Sequence, residues 1–205
     1  MPHLETSRYV ASPASYYRAY VAEYLVECPR CHHEAVVTLP NPHFRGGARL
    51  GCGHCGHAET VAQRLRYRLE VRRNCDTCGR AIAVTIPGKK RPAALIAVPC
   101  PHCGTVRQIK PRHEEYITKY DTAARANDPV FNLPLWLQAT VKHDVFWAYN
   151  RIHLHAIKTY VQATLRERQT NYTTMVERLP TFIKLAKNRP ALLKIIENLE
   201  KKQAG

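Results

Sequence analysis

The 205-residue sequence has no run of about 18 apolar residues, so hydropathy excludes a membrane-spanning helix. It opens "MPHLETSRYVASPASYY", which lacks the basic start and apolar core of a secretory signal. The expected setting is therefore cytoplasmic, where thiols stay reduced. Glycine is scarce, nine residues against fourteen prolines, which suggests stiff connections. No Gly-rich phosphate loop, no His-Glu-x-x-His and no Ser/His/Asp arrangement stands out, so no enzymatic activity is expected. Acidic residues are also in short supply. There are 16 Asp and Glu against 31 Lys and Arg, a formal net charge of +15.

The shortage is uneven. Residues 1–60 carry five basic and five acidic side chains, residues 61–118 twelve and four, and residues 119–205 fourteen and seven. The excess begins where "RLRYRLEVRR" begins, at Arg64. A basic surplus of this size suits a polyanion such as DNA or RNA. An acidic protein partner or a solubility role would use the same charge. A membrane partner is not expected.

Eight cysteines are present, and they require an explanation other than disulfides. All lie in Cys-x-x-Cys pairs: Cys28/Cys31, Cys52/Cys55, Cys75/Cys78 and Cys100/Cys103. Twenty residues separate the first two pairs and twenty-one the last two. Each spacer allows a tight turn that aims two sulfurs at one point. Two such turns complete a tetrahedral thiolate cage for Zn²⁺. The expected ligands are Cys28, Cys31, Cys52 and Cys55 at one ion, and Cys75, Cys78, Cys100 and Cys103 at a second.

The halves repeat. "CPRCHHEAVVTLP" at 28–40 aligns with "CDTCGRAIAVTIP" at 75–87, and "CGHCG" at 52–56 with "CPHCG" at 100–104. On these motifs, over roughly residues 20–110, the chain resembles the zinc-ribbon superfamily of transcription factors, polymerase subunits and ribosomal proteins. The resemblance implies knuckle-and-hairpin modules holding two structural zinc ions, and it leaves function open. Four thiolates close the coordination sphere, so such a site stabilises rather than catalyses. A redox role would suit a Cys-x-x-Cys pair opening a helix, whereas here every pair has a partner pair. Two four-thiolate zinc sites lower the formal +15 to about +11, which is still basic. His32, His33, His43, His54 and His57 cluster near the first site. His54 or His57 would serve as a variant ligand, but with four cysteines present thiolate hydrogen bonding or surface contact is the expected role.

The ribbon tips differ from a known pattern. Elongation-factor ribbons that promote transcript cleavage carry an acidic pair at the tip. The second tip here is "PGKKRP", between strands near 81–86 and 93–98, so that activity is not implied. Lys89, Lys90 and Arg91 suit phosphate, or form an ordinary solvated turn. The first tip offers Phe44 beside Arg45 and Arg49, for base stacking or for packing.

The linking stretch "RLRYRLEVRRNCDTCG" alternates. As a strand it points Leu65, Tyr67, Leu69 and Val71 inward and gathers Arg64, Arg66, Arg68 and Arg72 on one face, interrupted by Glu70. Val61, Leu65 and Leu69 also recur at helical spacing. Upstream, residues 22–27 read as a strand, and Tyr16, Tyr17, Tyr20 and Tyr24 offer a helical face. Downstream, 133–139 and 145–149 can pair as a hairpin. Asn150 reads as an N-cap, with Leu154, Ile157, Val161 and Leu165 at helical spacing to about Arg168. Thr174 and Glu177 have capping-box spacing, Leu179, Phe182, Ile183 and Ala186 mark a second stripe, and Pro190 suits the start of a last helix carrying Leu192, Ile195, Ile196 and Leu199. Trp136, Trp147 and Tyr149 belong to the core or to a stacking surface. His153 and His155, two apart, do not form a metal pair on a helix.

The expected architecture is small β zinc ribbons plus α. It comprises an extension at 1–21, tandem four-cysteine zinc ribbons at 22–62 and 63–112, and a mainly helical C-terminal domain at 113–205 with a short hairpin at 133–149. The expected function is non-enzymatic nucleic-acid binding, with phosphate contacts from Arg64, Arg66, Arg68, Arg72, Arg73, Lys89, Lys90 and Arg91. The alternative is an adaptor that docks on a larger nucleic-acid-processing complex by protein contacts.

Overall fold

A computed structural model describes residues 8–9, 22–41, 45–122, 126–166 and 179–202. The apolar, β-branched run after each first cysteine pair is a strand, as its composition favours. In chain order come β1 (Arg8–Tyr9), β2 (Glu23–Glu27), β3 (Glu34–Thr38), β4 (Arg49–Gly51) and β5 (Ala58–Thr60). The arginine-rich stretch is β6 (Leu65–Asn74), which follows a 3-10 turn at Val61–Arg64. Next are β7 (Ala81–Lys89), β8 (Ile96–Pro99), β9 (Val106–Ile109) and β10 (Arg112–Ile117). The hairpin β11 (Leu137–Val141) and β12 (Asp144–Ala148) leads to α1 (Arg151–Gln162). The chain then forms β13 (Leu165–Arg166), α2 (Thr181–Lys184) and α3 (Arg189–Lys201). The tyrosine face at 16–20, Phe44 and the Thr174/Glu177 box lie outside the described residues. Among the described residues, no helix is long and apolar enough to cross a membrane.

The chain divides into two units, Met1–Thr60 with Tyr120–Gly205, and Val61–Lys119. In the first, β2, β3, β4 and β5 form an antiparallel sheet in that order. The outer edge of β2 is occupied by chain from beyond residue 130. Leu25 N–H donates to the Tyr149 carbonyl at 2.7 Å, Trp136 N–H to the Leu25 carbonyl at 2.9 Å, and Glu27 N–H to the Pro134 carbonyl at 2.8 Å. These bonds satisfy a strand edge that would otherwise be open. Leu25 joins Leu137, Phe146, Leu154, Ile157, Val161, Leu192 and Ile196 in one core. A ribbon of about 40 residues has little interior of its own. Ribbon 1 and the C-terminal segment share this core, whereas a linear reading sets 22–62 and 113–205 apart.

The C-terminal segment is not mainly helical among the described residues. Helices of twelve, four and thirteen residues accompany a hairpin and irregular chain. Asn150 caps α1 as expected: its side chain accepts from His153 N–H at 2.8 Å, and its Nδ2 donates to the Glu23 carbonyl at 3.1 Å. The helix stops at Gln162 rather than near Arg168. Ala163 is extended, and Leu165–Arg166 pairs in parallel with β1. Pro190 lies in the first turn of α3. The apolar stripes of α1 and α3 face the core, where Leu154, Ile157, Leu192 and Ile196 are all buried.

In the second unit β6 is the middle strand of the antiparallel sheet β10–β6–β7, and β8 pairs with β9. Two ladders settle β6 as strand, against the helical alternative. The tip is arranged differently from a simple hairpin between residues 81–86 and 93–98, because β7 pairs with β6 and β8 with β9. Lys89 ends β7 opposite Tyr67, next to a bulge in the ladder. β10 reaches past residue 112 to complete the sheet. The core here is thin: Val71, Cys75, Ile82, Val98, Cys100 and Ile109 cluster together, and Val61 and Leu69 are also buried.

Candidate metal centres and a basic cleft

Each Cys-x-x-Cys pair is closed by the same two backbone hydrogen bonds. The first cysteine's N–H donates to the carbonyl five residues on: Cys28 to His33 at 2.8 Å, Cys52 to His57 at 2.8 Å, Cys75 to Arg80 at 2.8 Å and Cys100 to Thr105 at 2.9 Å. Its carbonyl accepts from the residue four on: His32 at 3.0 Å, Gly56 at 3.1 Å, Gly79 at 2.9 Å and Gly104 at 2.9 Å. That residue must turn into the left-handed region, with φ of 62° at His32, 69° at Gly56, 69° at Gly79 and 75° at Gly104. Three of the four are therefore glycine. His32 is the exception, and its Nδ1 lies 2.7 Å from Glu27 Oε1.

The turns bring four sulfurs together twice. Cys28 and Cys55 Sγ lie 3.7 Å apart, and Cys31 and Cys52 Sγ 3.6 Å. In the second cluster Cys75 and Cys103 are 3.8 Å apart, and Cys78 and Cys100 3.7 Å. A zinc ion with Zn–S near 2.3 Å sets a tetrahedral edge of about 3.8 Å, far longer than a disulfide bond. Within each cluster all ligand atoms lie within 4.8 Å of one another. These are two structural zinc sites.

Their acid–base behaviour fits a cation. The N–H groups of Cys78 and Thr77 pull the Cys75 thiol down to about 6. Cys78 goes the other way, to about 12: the Arg80 N–H favours its thiolate, but desolvation and the sulfurs of Cys103, Cys75 and Cys100 outweigh it. The first site repeats this. Burial opposes ionisation of Cys52, yet the N–H groups of Cys55 and His54, with the sulfurs of Cys31 and Cys28, bring it to about 7. The His33 N–H favours the Cys31 thiolate, but desolvation and the sulfurs of Cys55, Cys52 and Cys28 together outweigh it, and the thiol rises to about 12. In the second cage Cys103 is lowered as well, by its hydrogen bonds with Thr105. Each cage thus mixes lowered and raised thiols, and a dication is what lets all four thiolates coexist.

No family model, no curated protein and no solved structure matches the chain. The zinc-ribbon likeness rests on the two cysteine clusters themselves.

The basic residues fall into two groups. Arg64 lies in the turn before β6, and its Nε donates to the Thr118 carbonyl at 2.6 Å. Arg66 donates to the Gln63 and Leu65 carbonyls at 2.9 and 2.7 Å. Arg68 is ion-paired with Glu114, and Arg73 with Asp76. Leu69 and Val71 are buried as expected, while Leu65 and Tyr67 are half-buried. Arg72, Lys89, Lys90 and Arg91 are exposed.

Register adds what spacing did not. β10 places Arg112 opposite Glu70, Glu114 opposite Arg68 and Tyr116 opposite Arg66. At its far end the sheet opens into a cleft of about 580 Å³ lined by Glu70, Val71, Arg72, Arg73, Ile109, Lys110 and Arg112. Lys110 and Arg112 were not among the expected contacts. Only the antiparallel pairing of β10 with β6, distant in the chain, brings them beside Arg72. Of the aromatic candidates, the Lys202 ammonium lies 3.6 Å from the Trp136 ring centre, while Trp147 and Tyr149 pack at 4.8 Å. All three are half-buried. His153 is buried and His155 exposed, so they share no site.

Proposed function

We propose that the protein binds nucleic acid without catalysing a reaction, holding the phosphate backbone in the cleft beside β6. The cleft carries this reading: Arg72, Lys110 and Arg112 line about 580 Å³ together with Arg73, which is paired with Asp76, and Glu70 is the one carboxylate in the lining. Support comes also from the unit that bears it: Val61–Lys119 has thirteen Lys and Arg against four Asp and Glu. A four-thiolate zinc site offsets only two of those charges. Phosphate contacts of this kind position a protein on the backbone without reading sequence. In this reading zinc holds the module in shape, and its closed coordination leaves no position for a substrate.

The adaptor reading calls for an exposed apolar helix face. Among the described residues of the C-terminal segment, the large apolar side chains at the surface are Ile152 and Leu185, and the helical stripes are spent in the core. Nucleic acid is therefore the favoured partner. The test is binding of the zinc-loaded chain to single- and double-stranded DNA and RNA at ~50 and ~200 mM salt. Binding that weakens steeply with salt is expected. No binding at the lower salt would sink the proposal.

A further inference from the structure

His33 and His54 stack face to face beside the first zinc site, with ring centres 3.6 Å apart and planes within 6°. One nitrogen of each ring and Cys31 Sγ all lie within 4.8 Å of one another, which makes a third group of metal-binding character. The His33 tautomer is set by its surroundings. Its Nδ1 is 2.9 Å from the Cys31 carbonyl, and a carbonyl can only accept, so Nδ1 carries the proton. Nε2 is left with its lone pair free. A ring N–H held by a backbone carbonyl is the usual orientation of a histidine that binds metal through its other nitrogen. The second ribbon has no such pair: Arg80 and His102 stand at the equivalent positions.

We infer that Cys31, His33 and His54 form a second, solvent-open metal site that takes one further divalent cation of the zinc class, bridged to the first zinc through the Cys31 sulfur. One thiolate and two imidazoles are a ligand set for Zn²⁺ and its cobalt surrogate. The charge favours it, because a four-thiolate zinc site carries a local −2 that a second dication offsets. Ligand edges around one tetrahedral ion run about 3.3–3.8 Å, so a group already within 4.8 Å needs at most a small closure, about 1.5 Å or less, on binding. His54 is exposed, and rotation of its ring breaks the stack and turns a nitrogen toward the shared ion. Three protein ligands leave the fourth position to water, so this ion exchanges more readily than the two in closed cages.

The test uses the full chain loaded with two zinc ions and titrated with Co²⁺. The expected result is one further equivalent bound, no zinc released, and a sulfur-to-cobalt charge-transfer band that reports the shared Cys31 sulfur. The double variant His33→Gln with His54→Gln keeps two zinc ions and loses the third equivalent, with at least about a tenfold drop in affinity. Saturation at two metals in the parent chain overturns the inference. So does a third equivalent without the sulfur band, or one that survives in the double variant.

Discussion

Arg68 Nη1 sits 2.8 Å from Glu114 Oε2, and its guanidinium carbon is 5.3 Å from the Tyr116 ring centre. An alternating run of arginines looks from the sequence like one basic face. Across the ladder it meets a carboxylate and an aromatic ring, and Glu70 lies opposite Arg112. The middle of the face is a charge ladder of the kind that stabilises strand pairs. Unbalanced charge remains at the cleft end.

Arg66→Ser with Arg68→Ser should therefore change nucleic-acid affinity by no more than about threefold, because Arg68 is paired with Glu114 and Arg66, though still charged, is tied to the Gln63 and Leu65 carbonyls. Titration at low salt checks this. A loss equal to that of a cleft variant would show that the charge ladder opens on binding.

Zinc removal should separate the two units. The second has a small core in which two of the buried side chains, Cys75 and Cys100, are metal ligands, whereas the first keeps α1 and α3 packed around Phe146, Ile157 and Ile196. Where the core is thin, metal-binding energy is folding energy. Hydrogen exchange after chelation should show β6–β10 losing protection first, with α1 and α3 still protected. Simultaneous loss throughout would contradict this division.

The knuckle glycines offer a controlled pair. Gly56 has φ of 69°, while Gly53 in the same turn has no positive φ, and a Cβ at either meets nothing within 4 Å. Any cost at Gly56 is then conformational. Gly56→Ala should destabilise by about 1–2 kcal/mol and speed zinc loss to a chelator, while Gly53→Ala stays near neutral. Urea midpoints on the zinc-loaded proteins measure the difference.

His153 should make the first unit acid-sensitive. Burial holds its imidazole down at about 3, against an ordinary value of 6.5. The unfolded chain takes a proton below pH 6.5 that the folded chain refuses until far lower. Stability is thus lost as pH falls through that window, by about 2 kcal/mol between about pH 7 and pH 5. In His153→Asn, Oδ1 can accept from Tyr149 N–H as Nδ1 does, so most of that pH dependence should vanish. Denaturant curves with zinc in excess at both pH values give the comparison.

Local features were legible in the sequence. The cysteine spacing reports the two cages, Asn150 reports a helix start and Pro190 another, because each acts within a turn of itself. Features set by distant pairing were not. Nothing near Leu25 says that its backbone will bond Trp136 and Tyr149, and nothing near Leu165 says that it will leave a helix to pair with Arg8. The cleft belongs to the same class, since Lys110 and Arg112 join Arg72 only through the β6–β10 register.

The most direct measurement is the salt dependence of nucleic-acid binding by the parent chain and by Arg72→Ser with Lys110→Ser and Arg112→Ser, both confirmed to hold zinc. If these three side chains meet phosphates, the slope of log Kobs against log salt should become shallower by about 2 to 3. An unchanged slope would show that the cleft beside β6 is not where the backbone lies.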